Sequence, residues 1–119
     1  MHARVKTLID TLRLQRHPEG GWYRETFRST NSVRRESDGA ARSALTTIFF
    51  LLAAGEISRW HRVSSDEAWH HYEGVPLELL TFASDGSAAA IVQLGADAPS
   101  RMHVVPAGFW QAARPLGDY

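Results

Sequence analysis

The stretch Gly55–Gly74, GEISRWHRVSSDEAWHHYEG, holds three of the chain's six histidines, His61, His70 and His71, among acids and aromatics. Ser58 to Val63 and Ala68 to Glu73 have the length of short strands, and neither carries the three-and-four apolar spacing of a helix. In an extended chain alternate side chains share a face, so His61 and Val63 look one way while the adjacent His70 and His71 look opposite ways. A metal site, acid–base work on a small molecule and the packing of a β-rich domain are the three uses open to such a cluster.

The flanks repeat the pattern. Downstream, Leu77 to Ala83, Ala88 to Leu94, Met102 to Val105 and Trp110 to Ala113 read as short strands, with Gly74-Val75-Pro76 and Asp85-Gly86 as turns. Upstream, Ser43 to Ala53 is rich in branched and aromatic residues and reads as a buried strand ended by Gly55. Thr30 to Ala41 is polar and reads as a surface loop, with Arg34, Arg35, Glu36 and Asp38 as solvated charges. Trp22 to Arg28 is the first long strand, placing Tyr23, Glu25 and Phe27 on one face and Trp22, Arg24, Thr26 and Arg28 on the other.

Only the beginning differs. Val5, Leu8, Ile9 and Leu12 fall on one face of a helix from about His2 to Leu14, which His17-Pro18-Glu19-Gly20-Gly21 ends. Many short strands with glycine and proline turns, after a single helical period, predict an all-β antiparallel sandwich or barrel preceded by one short helix. Trp60, Trp69 and Trp110 are expected to fill its core. His2, His17 and His103 belong to no constellation and read as terminal, turn or surface residues.

A chain of 119 residues supports one domain, residues 1–119, with a core that needs no disulfide help. Thirteen basic residues balance thirteen acidic ones, which disfavours a polyanion-binding surface and hence nucleic acid as a partner. Without cysteine there is no thiolate nucleophile and no cysteine-ligated metal. The longest apolar run, Ile48 to Ala54, is too short for a membrane helix, and the first residues lack the features of a secretion signal. No membrane partner and a cytoplasmic location are the expectations.

The opening cluster also has a spacing: Gly55, five residues, His61, one residue, Val63, three residues, Glu67, six residues, Gly74. This resembles the first motif of the cupin superfamily, with valine at the second histidine position. Pro106-Ala107-Gly108-Phe109-Trp110-Gln111 resembles the second motif, with glutamine where a histidine is expected. Together with HPEGGWYRETFRS at residues 17–29 and VPAGFWQAA at 105–113, the chain resembles, over nearly its whole length, the small cupin-like proteins of the DUF985 family. The resemblance implies a double-stranded β-helix of the cupin jelly-roll type with a pocket inside the barrel, and a homodimer. Sugar-nucleotide epimerases have a similar fold. It also implies further strands after a segment like Gly117-Asp118-Tyr119, so an open sheet edge is expected, one that a second subunit can cover.

The positions matching the usual metal ligands hold His61, Val63, Glu67 and Gln111. Valine cannot ligate a metal and an amide oxygen is a weak substitute for imidazole, so no metal and no other cofactor is expected. A metal-free acid–base site uses the same residues better: His61 as base, Glu67 to orient it or supply a second proton position, and Gln111 to hold a carbonyl or hydroxyl oxygen. Tyr23, Glu25, Trp22 and His71 complete the expected ligand-binding set. The expected ligand is a small polar metabolite, a sugar or nucleotide sugar among the candidates, and the expected chemistry is isomerisation or epimerisation. A non-catalytic small-molecule binding protein and a structural or interaction module are the alternatives.

Overall fold

Val5, Leu8, Ile9 and Leu12 sit on helix α1, Ala3–Leu12, in the computed structural model, which describes residues 1–119. The His2 imidazole caps the helix by accepting the Arg4 N–H at 3.1 Å. Arg13 takes the left-handed conformation, φ 54°, so the helix stops short of Leu14 and the turn delivers that side chain to the interior. No helix is long and apolar enough to cross a membrane.

Eleven strands follow: β1 Gln15–Arg16, β2 Trp22–Arg28, β3 Ser32–Arg34, β4 Ala41–Ser43, β5 Thr46–Leu51, β6 Ser58–Arg62, β7 Glu67–His70, β8 Leu77–Phe82, β9 Ala90–Leu94, β10 Met102–Val105 and β11 Trp110–Pro115. They form a four-stranded sheet ordered β6-β11-β8-β9, a three-stranded sheet β1-β2-β5, and the two-stranded ladders β7–β10 and β3–β4. All these ladders are antiparallel, as the short turns between strands require. The architecture is an antiparallel β fold with one short N-terminal helix.

Beyond the strand expected to be buried from Ser43 to Ala53, whose β5 part is exposed from Thr46 to Phe49, three expectations need correction. The polar segment from Thr30 to Ala41 is not a plain loop: β3 pairs with β4 across a turn held by an Arg35–Asp38 ion pair at 2.8 Å and by Gly39 at φ 69°. Its strands are exposed on both faces, so no alternation of apolar and polar residues marks them. In β2 the register shifts between Glu25 and Phe27, which pairs Glu25 with Ile48 but Phe27 with Thr47. That bulge takes Phe27 off the face that Tyr23 and Glu25 share.

The third correction concerns the tryptophans. On β11, Gln111 and Ala113 are buried and lie opposite Thr81 and Leu79 of β8, so the pleat turns Trp110 to the other face, beside Phe82. Trp60 joins them there, with its ring 5.1 Å from Phe82, and is 47% exposed. Only Trp69 points inward. The core is built instead from Leu52, Leu79, Leu94, Val105 and Ala113, with Phe50, Trp69, Leu77, Val92 and Phe109 packed around them.

The helix is fastened to the sheet by charge. Arg4 donates two hydrogen bonds of 2.7 Å to Glu73, just before the turn into β8, and the Tyr119 hydroxyl donates a third at 3.0 Å. Chiefly through the Arg4 bonds, the Glu73 carboxyl is held at about 2, below its ordinary 4.5. A carboxylate with a depressed folded-state pKa contributes stability above its unfolded pKa and loses it as pH falls through the folded one. Acidification from about 4.5 to about 2 is therefore expected to release α1 and Tyr119 from this turn. Both partners are partly exposed, so the effect is a shift in the acid transition and not a large loss of stability. A circular dichroism titration of wild type and Glu73→Gln checks it, the variant losing this acid-dependent step.

Candidate functional site

The inner face of the four-stranded sheet changes from apolar to polar within one pleat repeat. Ala113 and Leu79 pack on the core, and the next inward pair, Gln111 and Thr81, carries polar groups. On the other side of β11, Ser58 lies opposite Ala113 and His61 opposite Gln111. Ser58 and His61 are three residues apart and would face opposite ways in a regular strand. The β6–β11 register shift between them places both beside inward positions.

Gln111 is the hub. Its side chain is fully buried; its Oε1 accepts the Trp69 indole N–H at 2.9 Å and its Nε2 donates to Glu67 Oε1 at 2.6 Å. Trp69 and Glu67 are two residues apart on β7, on the face that also carries the buried Val105 opposite Glu67, so β7 offers both groups inward. His61 Nδ1 is bonded to the Arg59 carbonyl oxygen at 2.7 Å, which fixes the ring beside Gln111.

The opposite wall is aromatic. Phe50 of β5 meets Trp69 edge-on at 5.7 Å and also lies 5.1 Å from the ring of His17. His17 packs at 4.8 Å on Tyr23, which is paired with Phe50 across the β2–β5 ladder. Burial lowers the His17 pKa; Glu19 opposes this, the charge of His61 lowers it further and that of Glu67 raises it. His17 therefore lies within electrostatic reach of both His61 and Glu67.

His17 is the residue that sequence reasoning missed. It opens the turn His17–Gly21, in which the His17 N–H donates to the Gly21 carbonyl at 2.9 Å and the Gly20 N–H to that of His17 at 3.1 Å. Gly20 sits at φ 111°, where a Cβ would run into the Ile57 carbonyl oxygen. A Cβ on Gly21 would meet Leu52, Leu51 and Phe50 within 3.0 Å. The paired glycines were the available signal: they let the turn lie against the end of β5 and the start of β6, which carries His17 inside.

The other expected ligand-binding residues lie outside this group. The Arg16 guanidinium covers the Trp22 ring at 4.1 Å, on the face of β2 opposite Tyr23. Glu25 is paired with Arg28 at 2.6 Å at the exposed end of β2. His71 follows β7, and its Nε2 is bonded to the Val75 carbonyl oxygen at 2.9 Å, holding the turn into β8. The structure thus brings together His61, Glu67 and Gln111, places Tyr23 behind His17, and separates Trp22, Glu25 and His71 from them; contrary to expectation the His61 ring is oriented by Arg59 and not by Glu67, and both polar ends of Gln111 are taken by Trp69 and Glu67.

Two concavities of about 450 and 530 Å³ lie elsewhere, one beside Met1, His2, Glu56 and Asp118, the other on the outer face around Ile57, Trp60, Leu80 and Arg114. Neither contains the buried polar network, and converging polar groups, more than volume alone, distinguish a ligand site.

The model for the family described as Cupin superfamily (DUF985) matches residues 6–119. The chain belongs to this family of cupins. This cupin is 33% identical to a hypothetical protein from Leishmania major, with a TM-score of 0.86 over 92% of this chain and 68% of that one. It is 31% identical to a protein from Shewanella oneidensis solved by X-ray crystallography, with a TM-score of 0.83 over 95% of this chain and 70% of that one. No curated protein matches.

Many cupins carry a metal at the positions of the two motifs, but the residues of this cupin do not fit one. Val63 has no donor atom, and both polar ends of Gln111 are engaged within the protein. No three histidine, aspartate or glutamate side chains are clustered as a metal site requires.

Proposed function

We propose that the inner face around His61, Glu67 and Gln111 binds a small polar metabolite and moves a proton on it, as in isomerisation or epimerisation of a sugar or sugar derivative. The observation that carries this reading is the fully buried Gln111 amide, bonded at one end to Trp69 and at the other to Glu67, with His61 directly opposite on β6. Burying an amide in a small protein is costly unless its polar atoms are paired. Imidazole is the side chain suited to general acid–base work near neutrality, and Gln111 stands between it and the carboxylate of Glu67. Non-catalytic binding of the same ligand class is the second reading, favoured by the aromatic wall of Tyr23, Phe50 and Trp69.

A thermal-shift panel of small polar metabolites tests the site. A hit is expected to raise the unfolding temperature of wild type and to lose that effect in His61→Ala and Glu67→Gln variants that retain the wild-type fold. A hit that stabilises all three equally places its site elsewhere and rejects this reading.

We also propose that the chain forms a homodimer through the outer face of the four-stranded sheet. Trp60 and Ile91 are 47% and 69% exposed there, beside Phe82 and Trp110, an apolar surface of the kind that marks contacts between proteins. Sedimentation of wild type is expected to give a dimer, and of Trp60→Glu a monomer. A wild-type monomer across the micromolar range rejects the dimer.

A further inference from the structure

We propose that His17 is the electrophile of the site, a neutral imidazole whose Nε2–H holds the oxygen of a substrate carbonyl while His61 Nε2 removes the proton from the adjacent carbon. This rests on the proton-transfer reading above and narrows its substrate class to an uncharged hydroxy-carbonyl compound.

The assignment comes from the backbone partners of the two rings. The Glu19 N–H donates to His17 Nδ1 at 3.0 Å; a backbone N–H only donates, so Nδ1 is the acceptor and the proton of the neutral ring resides on Nε2. His61 Nδ1 meets the Arg59 carbonyl oxygen at 2.7 Å; a carbonyl only accepts, so here Nδ1 carries the proton and Nε2 keeps its lone pair. The backbone thus fixes opposite tautomers on two histidines linked through Phe50, Trp69 and Gln111. One presents a donor, the other a base.

Burial keeps His17 neutral by lowering its pKa, and the charge of His61 acts in the same direction, against Glu19 and Glu67. A neutral imidazole with a lowered pKa is an established way to polarise a carbonyl without giving up its proton. In the step proposed, the C–H bond breaks, its electron pair forms the carbon–carbon double bond, and the carbonyl π pair moves to oxygen. The proton goes to His61 Nε2, giving an imidazolium near Glu67, while His17 holds the oxygen by a hydrogen bond and keeps its own proton. Return of the proton from His61 to the same carbon completes exchange; its delivery to the neighbouring carbon, with the hydroxyl proton passing from that oxygen to the enediolate oxygen, completes isomerisation, with no oxidant or other co-reactant.

The side chains linked here, His17, Tyr23, His61, Glu67, Trp69 and Gln111, include no lysine or arginine, and the Arg59 guanidinium beside the turn is engaged by the Pro18 carbonyl oxygen. Phosphate recognition normally uses such cations or a helix N-terminus. The part of the substrate seated here is accordingly an uncharged hydroxy-carbonyl group.

Long-range proton–nitrogen correlation spectra of the nitrogen-labelled full chain, recorded above neutral pH, show each tautomer directly. His17 is expected as the Nε2–H form and His61 as the Nδ1–H form. The same tautomer on both rings, or the reverse assignment, overturns the proposal. Acetohydroxamate, an uncharged mimic of the enediolate, is then titrated in: the His17 Nε2–H and the His61 Nε2 signals are both expected to shift, and the shift at His61 to be lost or much weakened in His17→Phe. No shift at His17, or an undiminished shift at His61 in a His17→Phe variant that keeps the wild-type spectrum elsewhere, also overturns it. Failure of the metabolite screen with the tautomers and acetohydroxamate shifts as expected would instead reject only the broader reading of which metabolites the site serves.

Discussion

Gln111→Leu is expected to destabilise the chain by about 1–3 kcal/mol, since it leaves two half-buried groups, the Trp69 indole and the Glu67 carboxylate, without their partner. Leucine is close to glutamine in volume, so the change leaves no cavity and isolates the hydrogen bonding. The Trp69 indole N–H would lose its acceptor and Glu67 its 2.6 Å donor, both now supplied by a side chain that is itself fully buried. Removing a second partner should restore part of the loss, because an apolar pair leaves fewer groups unsatisfied than a broken network. Urea unfolding of Gln111→Leu, Glu67→Leu and the double variant checks both statements. A Gln111→Leu loss within the about 0.5 kcal/mol typical of surface changes would mean that the network does not hold the site together.

The second large effect is expected at Gly20. Its φ of 111° lies where a side chain is strained, at about 1–3 kcal/mol, and the added Cβ would in addition overlap the Ile57 carbonyl oxygen. Backbone cannot swing aside as a flexible side chain can, so Gly20→Ala is expected to lift the turn from β6, destabilise the chain by about 2 kcal/mol or more, and loosen His17 from Tyr23 and Phe50. Gly39 is the control: it too has a positive φ, 69°, but a Cβ there meets nothing within 4 Å. Gly39→Ala should lose only about 1–2 kcal/mol, the left-handed backbone penalty alone. Denaturation curves for the two variants, with the ring signals of His17 as a local reporter, separate steric exclusion from backbone strain.

These two residues mark the division between what local sequence carries and what it does not. The strands β2 and Met102–Val105 were legible from length, alternation and flanking turns, and their bounds agree with the structure. His61, Glu67 and Gln111 were legible from the resemblance to the two cupin motifs, and the register of β6 and β11 with the Gln111–Glu67 bond brings them together. Trp22 and Tyr23 cannot both face inward, because adjacent strand residues point opposite ways, and the ladder with β5 settles which one does. Trp60 and Trp110 were misplaced for a related reason: size and hydrophobicity suggested burial, whereas pleat and register decided it. The β3–β4 hairpin left no trace because neither of its faces is buried. His17 looked like a turn residue because it is one. Its place beside His61 and Glu67 depends on the docking of that turn against β5 and β6, a long-range fact that the glycine pair permits but does not spell out.

The network also explains why the polar groups sit where they do. The apolar layer of Leu79, Leu94, Val105 and Ala113 supplies a dry floor, which strengthens hydrogen bonds above it and raises the penalty for any group left unpaired. Gln111, one pleat repeat along from Ala113, stands at that boundary. A rigid amide there orients both the Trp69 ring and the Glu67 carboxylate, so the first function of Gln111 is to position its neighbours.

The most direct measurement of the central claim is deuterium incorporation from heavy water into a metabolite that binds the chain, followed by proton magnetic resonance for wild type, His61→Gln and Glu67→Gln. Wild type is expected to cause loss of signal at the carbon next to the carbonyl, slowed by about 10²- to 10⁴-fold when His61 is replaced, the range that a positioned general base contributes. No exchange by wild type at any pH where it is folded, or equal exchange by all three proteins, would contradict it.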